Sequence, residues 1–414
     1  MLKATPDIVK INYCSAADLL QLKGIGHKRA KKIVQYRVKH GPFITIEDLE
    51  RVPGITQGIV DNIVDKLDWS FNGHFIPPPK IIKADARQLS EIPSNSIDLI
   101  ITSPPYWKKR DYKRRNQIGQ EDTPSEYIIA LVGTIDSWIR LLRPHASVFI
   151  NIGDTYRNGE LAGIPERLSI ALREHGWLIA NKIIWAKSNG VPEPLPYRLA
   201  NRHEVILQLV RSREYFSDVN SLAQYLNQSS NPGDVWHLAH NRNTSNHLAP
   251  FPEELVKRII QFACPEHLCS KCGKPFLHNW RPTSQLDPTR PQAKRAMELF
   301  KQAGLSDEHL KAIRAVGISD AGKGKKIQTG TNGNAKRTQK LAKEAKKILS
   351  GYFREFTFGP KKRTDWIACK CHAPTLPCTI LDPYMGSGTS VRAAYQLGRI
   401  AIGSDLVARK ITLP

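Results

Sequence analysis

Ile97-Asp98-Leu99-Ile100-Ile101-Thr102-Ser103-Pro104-Pro105-Tyr106-Trp107 is the stretch on which the reading of this chain turns. Its first half is an apolar run of strand length, and two successive prolines end it abruptly because proline cannot donate to a sheet ladder. Neither proline carries an N–H, so the turn offers carbonyl oxygens beside aromatic side chains. A planar base bearing an amino group fits such a place. Its ring can stack on Tyr106, with Trp107 beside it, while Ser103 and the Pro104 carbonyl accept from the amine and Pro105 holds the bend. The competing reading is a proline turn with a buried tyrosine, and for a lone Pro-Pro-Tyr that reading prevails.

A second motif lies far downstream. Thr379-Ile380-Leu381-Asp382-Pro383-Tyr384-Met385-Gly386-Ser387-Gly388-Thr389 reads as strand, glycine-rich turn and helix start, a nucleotide-binding arrangement. Two glycines admit a ligand against bare backbone, and Asp382 can anchor a cationic amine. Strand Ile400-Ala401-Ile402-Gly403 follows, and Asp405 at its end is placed to accept both hydroxyls of a ribose. The turn lacks a P-loop lysine and the full GxGxxG spacing, which counts against ATP and NAD. Between the motifs, strand and helix patterns alternate. Thr123-Pro124-Ser125-Glu126 is a capping-box start, a helix runs from about Ile164 to Gly176, and strands run through Ser147–Ile152, Trp177–Trp185 and His203–Val210. The alternation indicates a parallel or mixed sheet covered by helices.

The N-terminal region contains a repeat. Leu22-Lys23-Gly24-Ile25-Gly26 recurs as Val52-Pro53-Gly54-Ile55-Thr56, each copy flanked by helical patterns. Two helices joined by a glycine hairpin can present backbone N–H groups to a phosphate. Lys23, Lys28, Arg29, Lys31 and Lys32 add positive charge at the first hairpin. A small helical domain for protein contacts is the alternative. Pro77-Pro78-Pro79 then makes a stiff spacer.

Lysine plus arginine number 61 against 38 acids in 414 residues, a net charge of +23, which predicts a polyanionic partner, nucleic acid before membrane. From Arg281 to Asp365 the count is 20 against 8, so one stretch carries much of the excess. Within it, Leu305–Val316 and the lysine-rich Arg337–Leu349 read as helices and Lys323–Asn334 as a flexible loop. No run approaches the length of a membrane span. Cys269-Ser270-Lys271-Cys272 and Cys369-Lys370-Cys371 offer four thiolates for a zinc ion, with His372 as a substitute ligand and free buried cysteines as the alternative. Cys14, Cys264 and Cys378 read as packing residues.

Together the ordered motifs resemble the circularly permuted β class of DNA amino-methyltransferases, in the serine-headed form typical of the N4-cytosine group, and the repeat resembles a tandem helix-hairpin-helix module. Relatives usually carry proline where Ser188 stands, and they run on into a helix soon after the residue matching Asp405. The resemblance implies a Rossmann-like α/β fold with a small all-α N-terminal domain. It divides the chain into 1–70 (helix-hairpin-helix), 71–79 (linker), 80–268 (first part of the methyltransferase), 269–371 (basic insertion for target recognition, with the zinc site) and 372–414 (donor-binding part).

It further implies methyl transfer from S-adenosylmethionine to the exocyclic amine of a flipped cytosine in double-stranded DNA. Ser103, Pro104, Pro105 and Tyr106 would be catalytic. Asp85, Phe251, Pro252, Asp382, Pro383, Tyr384, Gly386, Ser387, Gly388, Thr389 and Asp405 would hold the donor. Gly24, Gly26, Lys28, Arg29 and Gly54 would hold the DNA backbone. Asp154 and His203 are read as orienting loops. A cytoplasmic, prokaryotic enzyme with a cognate restriction endonuclease is the implied setting. C5-cytosine methylation needs a cysteine nucleophile, usually after proline; the single Pro377-Cys378 pair enters the donor-loop strand, so that chemistry is rejected. N6-adenine methylation on the same fold and a non-enzymatic DNA-binding accessory remain as alternatives.

Overall fold

The computed structural model describes residues 8–12, 14–40, 43, 46–69, 76–114, 117–189, 196–228, 231–239, 251–283, 286, 291–317, 336–357 and 359–407. The chain forms two compact units, Met1–Ser217 with Gly233–Phe276 and Ala368–Pro414, and Asp218–Pro232 with Leu277–Ile367.

The first unit is built on eight strands: β1 (Lys80–Lys83), β2 (Ile97–Thr102), β3 (Leu142–Ile152), β4 (Leu178–Lys187), β5 (His203–Val210), β6 (Val235–Leu238), β7 (Thr379–Asp382) and β8 (Ile400–Asp405). In space they run β6-β4-β5-β3-β2-β7-β8-β1. From β3 to β1 all neighbours are parallel, β5 is antiparallel to both β3 and β4, and β6 is parallel to β4. The sheet is mixed, as the alternating pattern implies. The β7–helix–β8 segment, last in the chain, lies between β1 and β2. That placement is the permuted order expected from the motif sequence, and it aligns the carboxyl ends of β1, β2, β7 and β8 along one edge.

Strand β2 is buried at every residue because both its faces are covered. One charged residue interrupts it. Asp98 is 1% exposed and accepts from His145 Nε2 at 2.8 Å and the Thr379 N–H at 2.7 Å, so it stitches β2 to β3 and β7. Helix Pro124–Ser137 starts at the expected capping box, Thr123 with Glu126, and buries Tyr127, Ile128, Leu131 and Ile135 against the sheet. Burying each such side chain is worth about 1.5–3 kcal/mol. Trp138, at the helix end, is fully buried with its indole N–H donated to the Ala86 carbonyl at 2.7 Å.

Residues 9–69 hold their own core around Leu19, Ile33, Phe43, Leu49 and Ile63. Helices Ala16–Leu19 and His27–His40, then Ile46–Glu50 and Gln57–Val60, flank hairpins whose Gly24 and Gly54 sit at φ +88° and +92°. The second unit pairs strand Leu277–Pro282 antiparallel with Lys361–Ile367 and packs helices Pro291–Gln302, Asp307–Val316 and Lys336–Leu349 around Leu310, Ile313, Ala345 and Leu349. Ser306 caps the middle helix. The stretch Lys323–Asn334, read as a loop, lies outside the described residues. No helix among the described residues is long and apolar enough to cross a membrane.

Candidate active site

Four strand ends open onto one cleft of about 180 Å³. Asp85 follows β1, Ser103 and Pro105 follow β2, Pro383, Tyr384 and Gly386 follow β7, and Asp405 ends β8; all of them line it. Tyr112, Arg114 and Gln117, from the basic loop after the proline turn, line it as well. The proline turn and the glycine turn, 280 residues apart in the chain, therefore share one opening. The β2–β7 pairing, Ile380 opposite Leu99 and Leu381 opposite Ile100, puts them side by side.

At the glycine turn, Gly386 and Gly388 both have positive φ (+53° and +77°), and Gly388 precedes the helix Thr389–Gln396 in a left-handed conformation closed to most side chains. The Gly386 N–H donates to Asp405 Oδ2 at 3.1 Å and the Val407 N–H to Oδ1 at 3.0 Å, so one carboxylate braces the turn and faces the cleft. Ser387 and Thr389 bond to each other through their hydroxyls at 3.2 Å, beneath Arg392, which donates to the Ser387 carbonyl. Asp85 is clamped by Arg87, with Nη2 at 2.6 Å and Nε at 2.9 Å, and this contact holds its carboxyl below the usual range.

The proline turn is anchored from behind. Ser103 Oγ donates to Tyr106 Oη at 3.1 Å, and Tyr106 Oη donates to Glu204 Oε2 at 2.6 Å. Asn151 Nδ2 donates to Tyr106 Oη at 2.9 Å and to Glu204 Oε2 at 2.7 Å, while Lys187 Nζ bonds Glu204 Oε1 at 2.6 Å. Burial alone would raise the Glu204 carboxyl, but the Lys187 charge and these donors outweigh it and hold it below its ordinary value. Burial and the adjacent Glu204 push the Tyr106 phenol well up, so it stays a proton donor. A consequence follows for Ser103. Its one proton is committed to Tyr106, leaving acceptor lone pairs for the cleft it lines.

Several sequence expectations change in detail. Trp107 is 5% exposed with its indole N–H donated to the Glu121 carbonyl at 2.9 Å, which places it in the core beneath the turn and not as a base platform. Asp382 is 2% exposed and sits beneath the glycine turn, accepting from Thr102 Oγ1 at 2.6 Å, from Ser390 Oγ and from the Tyr384 N–H. Burial pushes its carboxyl up to about 6, against those hydrogen bonds. It is a brace for the loop, not a cleft-facing anchor for a cation. Phe251 is buried and Pro252 caps helix Glu253–Ala263; neither lines the cleft, and residues 246–250 of that segment lie outside the described residues.

Pro104 is buried, Pro105 accepts from Tyr127 Oη at 2.9 Å, and Tyr106 is partly exposed without being a lining residue. Asp154 does orient a loop, accepting from the N–H groups of Thr155, Gly163 and Ile164. The His203 side chain is exposed; its neighbour Glu204 does the orienting. Gly26 and Lys28 stand at the first helix-hairpin-helix turn, but Arg29 spends Nε on the Gly54 carbonyl (3.0 Å) and Nη1 on that of Gly24 (2.9 Å), tying the two hairpins together.

Glu204, Asn151 and Lys187 stand in segments that resemble the family's (Asn151–Asp154, Trp185–Asn189 and Arg202–Glu204), but the sequence assigns none of them a role. Their signal was present but weak: a carboxylate one residue inside a strand and a lysine at the end of its antiparallel neighbour, two positions along from the register partner Trp185. Gly153 belongs to the same constellation. A Cβ there would stand 2.9 Å from Tyr106 Cε2, a ring atom that cannot swing aside. Gly153→Ala is therefore expected to displace the Tyr106 ring and cut the methyl transfer that the sequence resemblance implies at least tenfold while lowering stability by only about 1–2 kcal/mol, read from turnover and denaturant titration of the same preparation. Unchanged turnover would show that the ring's place is immaterial.

Two stretches of the chain match known families. Residues 97–267 match the model of the N6/N4 DNA methylases, described as DNA methylase, and residues 6–68 match the helix-hairpin-helix motif. The Type II methyltransferase M.SmaI of Serratia marcescens is 31% identical over 215 residues, 44% of this chain and 74% of that protein. M.Cfr9I of Citrobacter freundii, another Type II methyltransferase, is 30% identical over 203 residues, 42% of this chain and 68% of that protein. Among solved structures, the PvuII DNA methyltransferase (cytosine-N4-specific) is similar over 80% of this chain and 83% of that chain, at 13% identity and a TM-score of 0.45. On the strength of the two sequence relatives and the matched model, the chain belongs to the N6/N4 DNA methylase family of Type II methyltransferases, with a helix-hairpin-helix motif at its N-terminus.

Proposed function

We propose that this protein transfers a methyl group from S-adenosylmethionine to the exocyclic N4 amine of a cytosine flipped out of double-stranded DNA. The observation that carries the proposal is the single cleft in which Ser103 and Pro105 meet Asp85, Gly386 and Asp405. The donor set fits an adenosyl sulfonium. Asp405 offers a carboxylate to the ribose hydroxyls, Gly386 offers bare backbone, and Asp85 offers a second carboxylate once Arg87 yields it. When bound, S-adenosylmethionine supplies an electrophilic methyl carried on a positively charged sulfur.

The chain's part is orientation. Ser103 Oγ, held as an acceptor by the Tyr106–Glu204 line, takes a hydrogen bond from one amine proton, and the Pro104 carbonyl takes the other. Two such bonds favour a pyramidal nitrogen whose lone pair points out of the ring plane. Alignment of this kind can contribute several kcal/mol, since well-oriented reactions recover about 7–11 kcal/mol of barrier. The C–N bond forms as the C–S bond breaks, its electron pair staying on sulfur. The proton lost from nitrogen passes to Ser103 Oγ as the Ser103 proton moves to Tyr106 Oη and the Tyr106 proton to the Glu204 carboxylate. The Tyr106 ring, partly exposed but not lining that cleft, is the surface we assign to the flipped base, a contact worth about 1–3 kcal/mol, and extrusion costs a few kcal/mol. Phosphate contacts by Gly24, Gly26, Lys28 and Gly54, by Arg110 and Arg114, and by the basic 269–371 stretch offset that cost. A restriction endonuclease for the same site is the proposed partner in the cell, suggested by the Type II relatives.

Serine at position 103 supports cytosine over adenine. Purified protein, duplex DNA and isotopically labelled donor, followed by nucleoside digestion and mass spectrometry, should yield N4-methylcytosine. Only N6-methyladenine in the digest would overturn the choice of base. DNA left unlabelled by protein that also fails to bind the donor would overturn the enzymatic reading.

A further inference from the structure

Four thiols meet where the chain leaves the first unit and where it returns. Strand His267–Cys269 pairs antiparallel with Thr375–Pro377, Cys269 lying opposite Thr375. The Cys269 N–H donates to the Lys274 carbonyl at 2.9 Å and the Gly273 N–H to the Cys269 carbonyl at 2.8 Å, curling residues 269–274 into a tight knuckle with Gly273 at φ +68°. The Ser270 N–H donates to the Pro374 carbonyl at 2.9 Å and docks this knuckle on the returning segment. Cys369 and Cys371 stand on that segment. The sulfur atoms of Cys269, Cys272, Cys369 and Cys371 all lie within 4.8 Å of one another.

That spacing decides between the readings. A tetrahedral zinc ion with Zn–S bonds of about 2.3 Å sets its sulfurs about 3.8 Å apart, whereas a disulfide needs about 2.05 Å, and all seven cysteines are free thiols. Packing cysteines do not converge four at a time. Cys14, Cys264 and Cys378, which are buried, stay outside the cluster. His372, the substitute ligand considered from sequence, is exposed and is not in the cluster.

We propose that Cys269, Cys272, Cys369 and Cys371 bind one zinc ion as a closed tetrathiolate. Four protein ligands leave no open position for water or substrate, so the site is structural. The metal joins the segment that leaves this unit before residue 277 to the one that rejoins it after residue 367, adding to the pairing of His267–Cys269 with Thr375–Pro377 and to the Ser270 to Pro374 hydrogen bond.

Elemental analysis of the full chain, purified without chelator, should give about one zinc per chain. Cys272→Ser and Cys371→Ser should each reduce that several-fold. Cobalt exchanged into the wild-type protein should give the intense visible bands of a tetrahedral thiolate site, a readout that depends neither on a variant folding nor on methyl transfer. Metal-free protein with four titratable thiols, intact mass lowered by disulfide formation, or iron in place of zinc would each overturn the assignment.

Discussion

Replacing Tyr106 by phenylalanine should lower the rate of methyl transfer about 100-fold or more and leave donor affinity within about twofold. The ring and its fit beside Gly153 survive this change; only the hydroxyl goes. With it goes the bond that commits the Ser103 proton, so Ser103 Oγ is free to turn its hydrogen toward the cleft and present a donor to an amine that needs an acceptor. Glu204 simultaneously loses its 2.6 Å partner while keeping Asn151 and Lys187, so the loss is that of one hydrogen bond to a charged group, about 1.5–3 kcal/mol. Misplacement of a reacting group by about 1 Å can alone cost about 10²-fold. Single-turnover kinetics beside calorimetric titration of S-adenosylmethionine separate the two effects. A full rate in Tyr106→Phe would mean that the hydrogen-bonded line behind Ser103 has no part in the reaction.

Asp405→Ala should do the reverse and weaken donor binding about 100-fold or more. The carboxylate has two duties in the proposed site. It accepts from the Gly386 and Val407 N–H groups, holding the glycine turn, and it is the acceptor for ribose hydroxyls. Hydrogen bonds to a charged group are worth about 1.5–3 kcal/mol, and about 1.4 kcal/mol is a factor of ten in affinity. Titration of the variant with donor measures the loss directly, and DNA binding should be retained because the helix-hairpin-helix residues are untouched. An unchanged donor Kd would remove Asp405 from the site.

Much of this arrangement could be read from the sequence because it is local in the chain. The buried run into Ser103-Pro104-Pro105, the capping box at Thr123, the Asp154 loop and the turn from Pro383 to Thr389 each carry their cause within a few neighbouring residues. What escaped depends on register and on side-chain direction. Glu204 meets Tyr106, 98 residues away, only because β5 pairs with β3, which bears Asn151, on one side and with β4, which bears Lys187, on the other. No periodicity encodes that meeting. Trp107 shows the same limit: aromatic residues adjacent in sequence diverge, because the chain turns sharply after Tyr106, with Lys108 at φ +51° and its N–H donated to the Gly119 carbonyl. Asp382 was misread in direction for a related reason. A carboxylate at a strand end can point up into a cleft or back under its own loop, and here Thr102 and Ser390 draw it under.

The strand order bears on how such a chain can be made. β1 and β2 are produced early, yet neither touches the other; the two strands that separate them come after the whole 277–367 excursion. Until Thr379 and the residues that follow have left the ribosome, the growing chain carries a five-stranded sheet with β2 as a bare edge and β1 as a strand without its neighbour, a template for wrong pairing between nascent copies. Closing the gap joins the pieces and forms, in one event, the cleft that the proline turn and the glycine turn share. On the proposed function, the methyl donor and the base gain their place together.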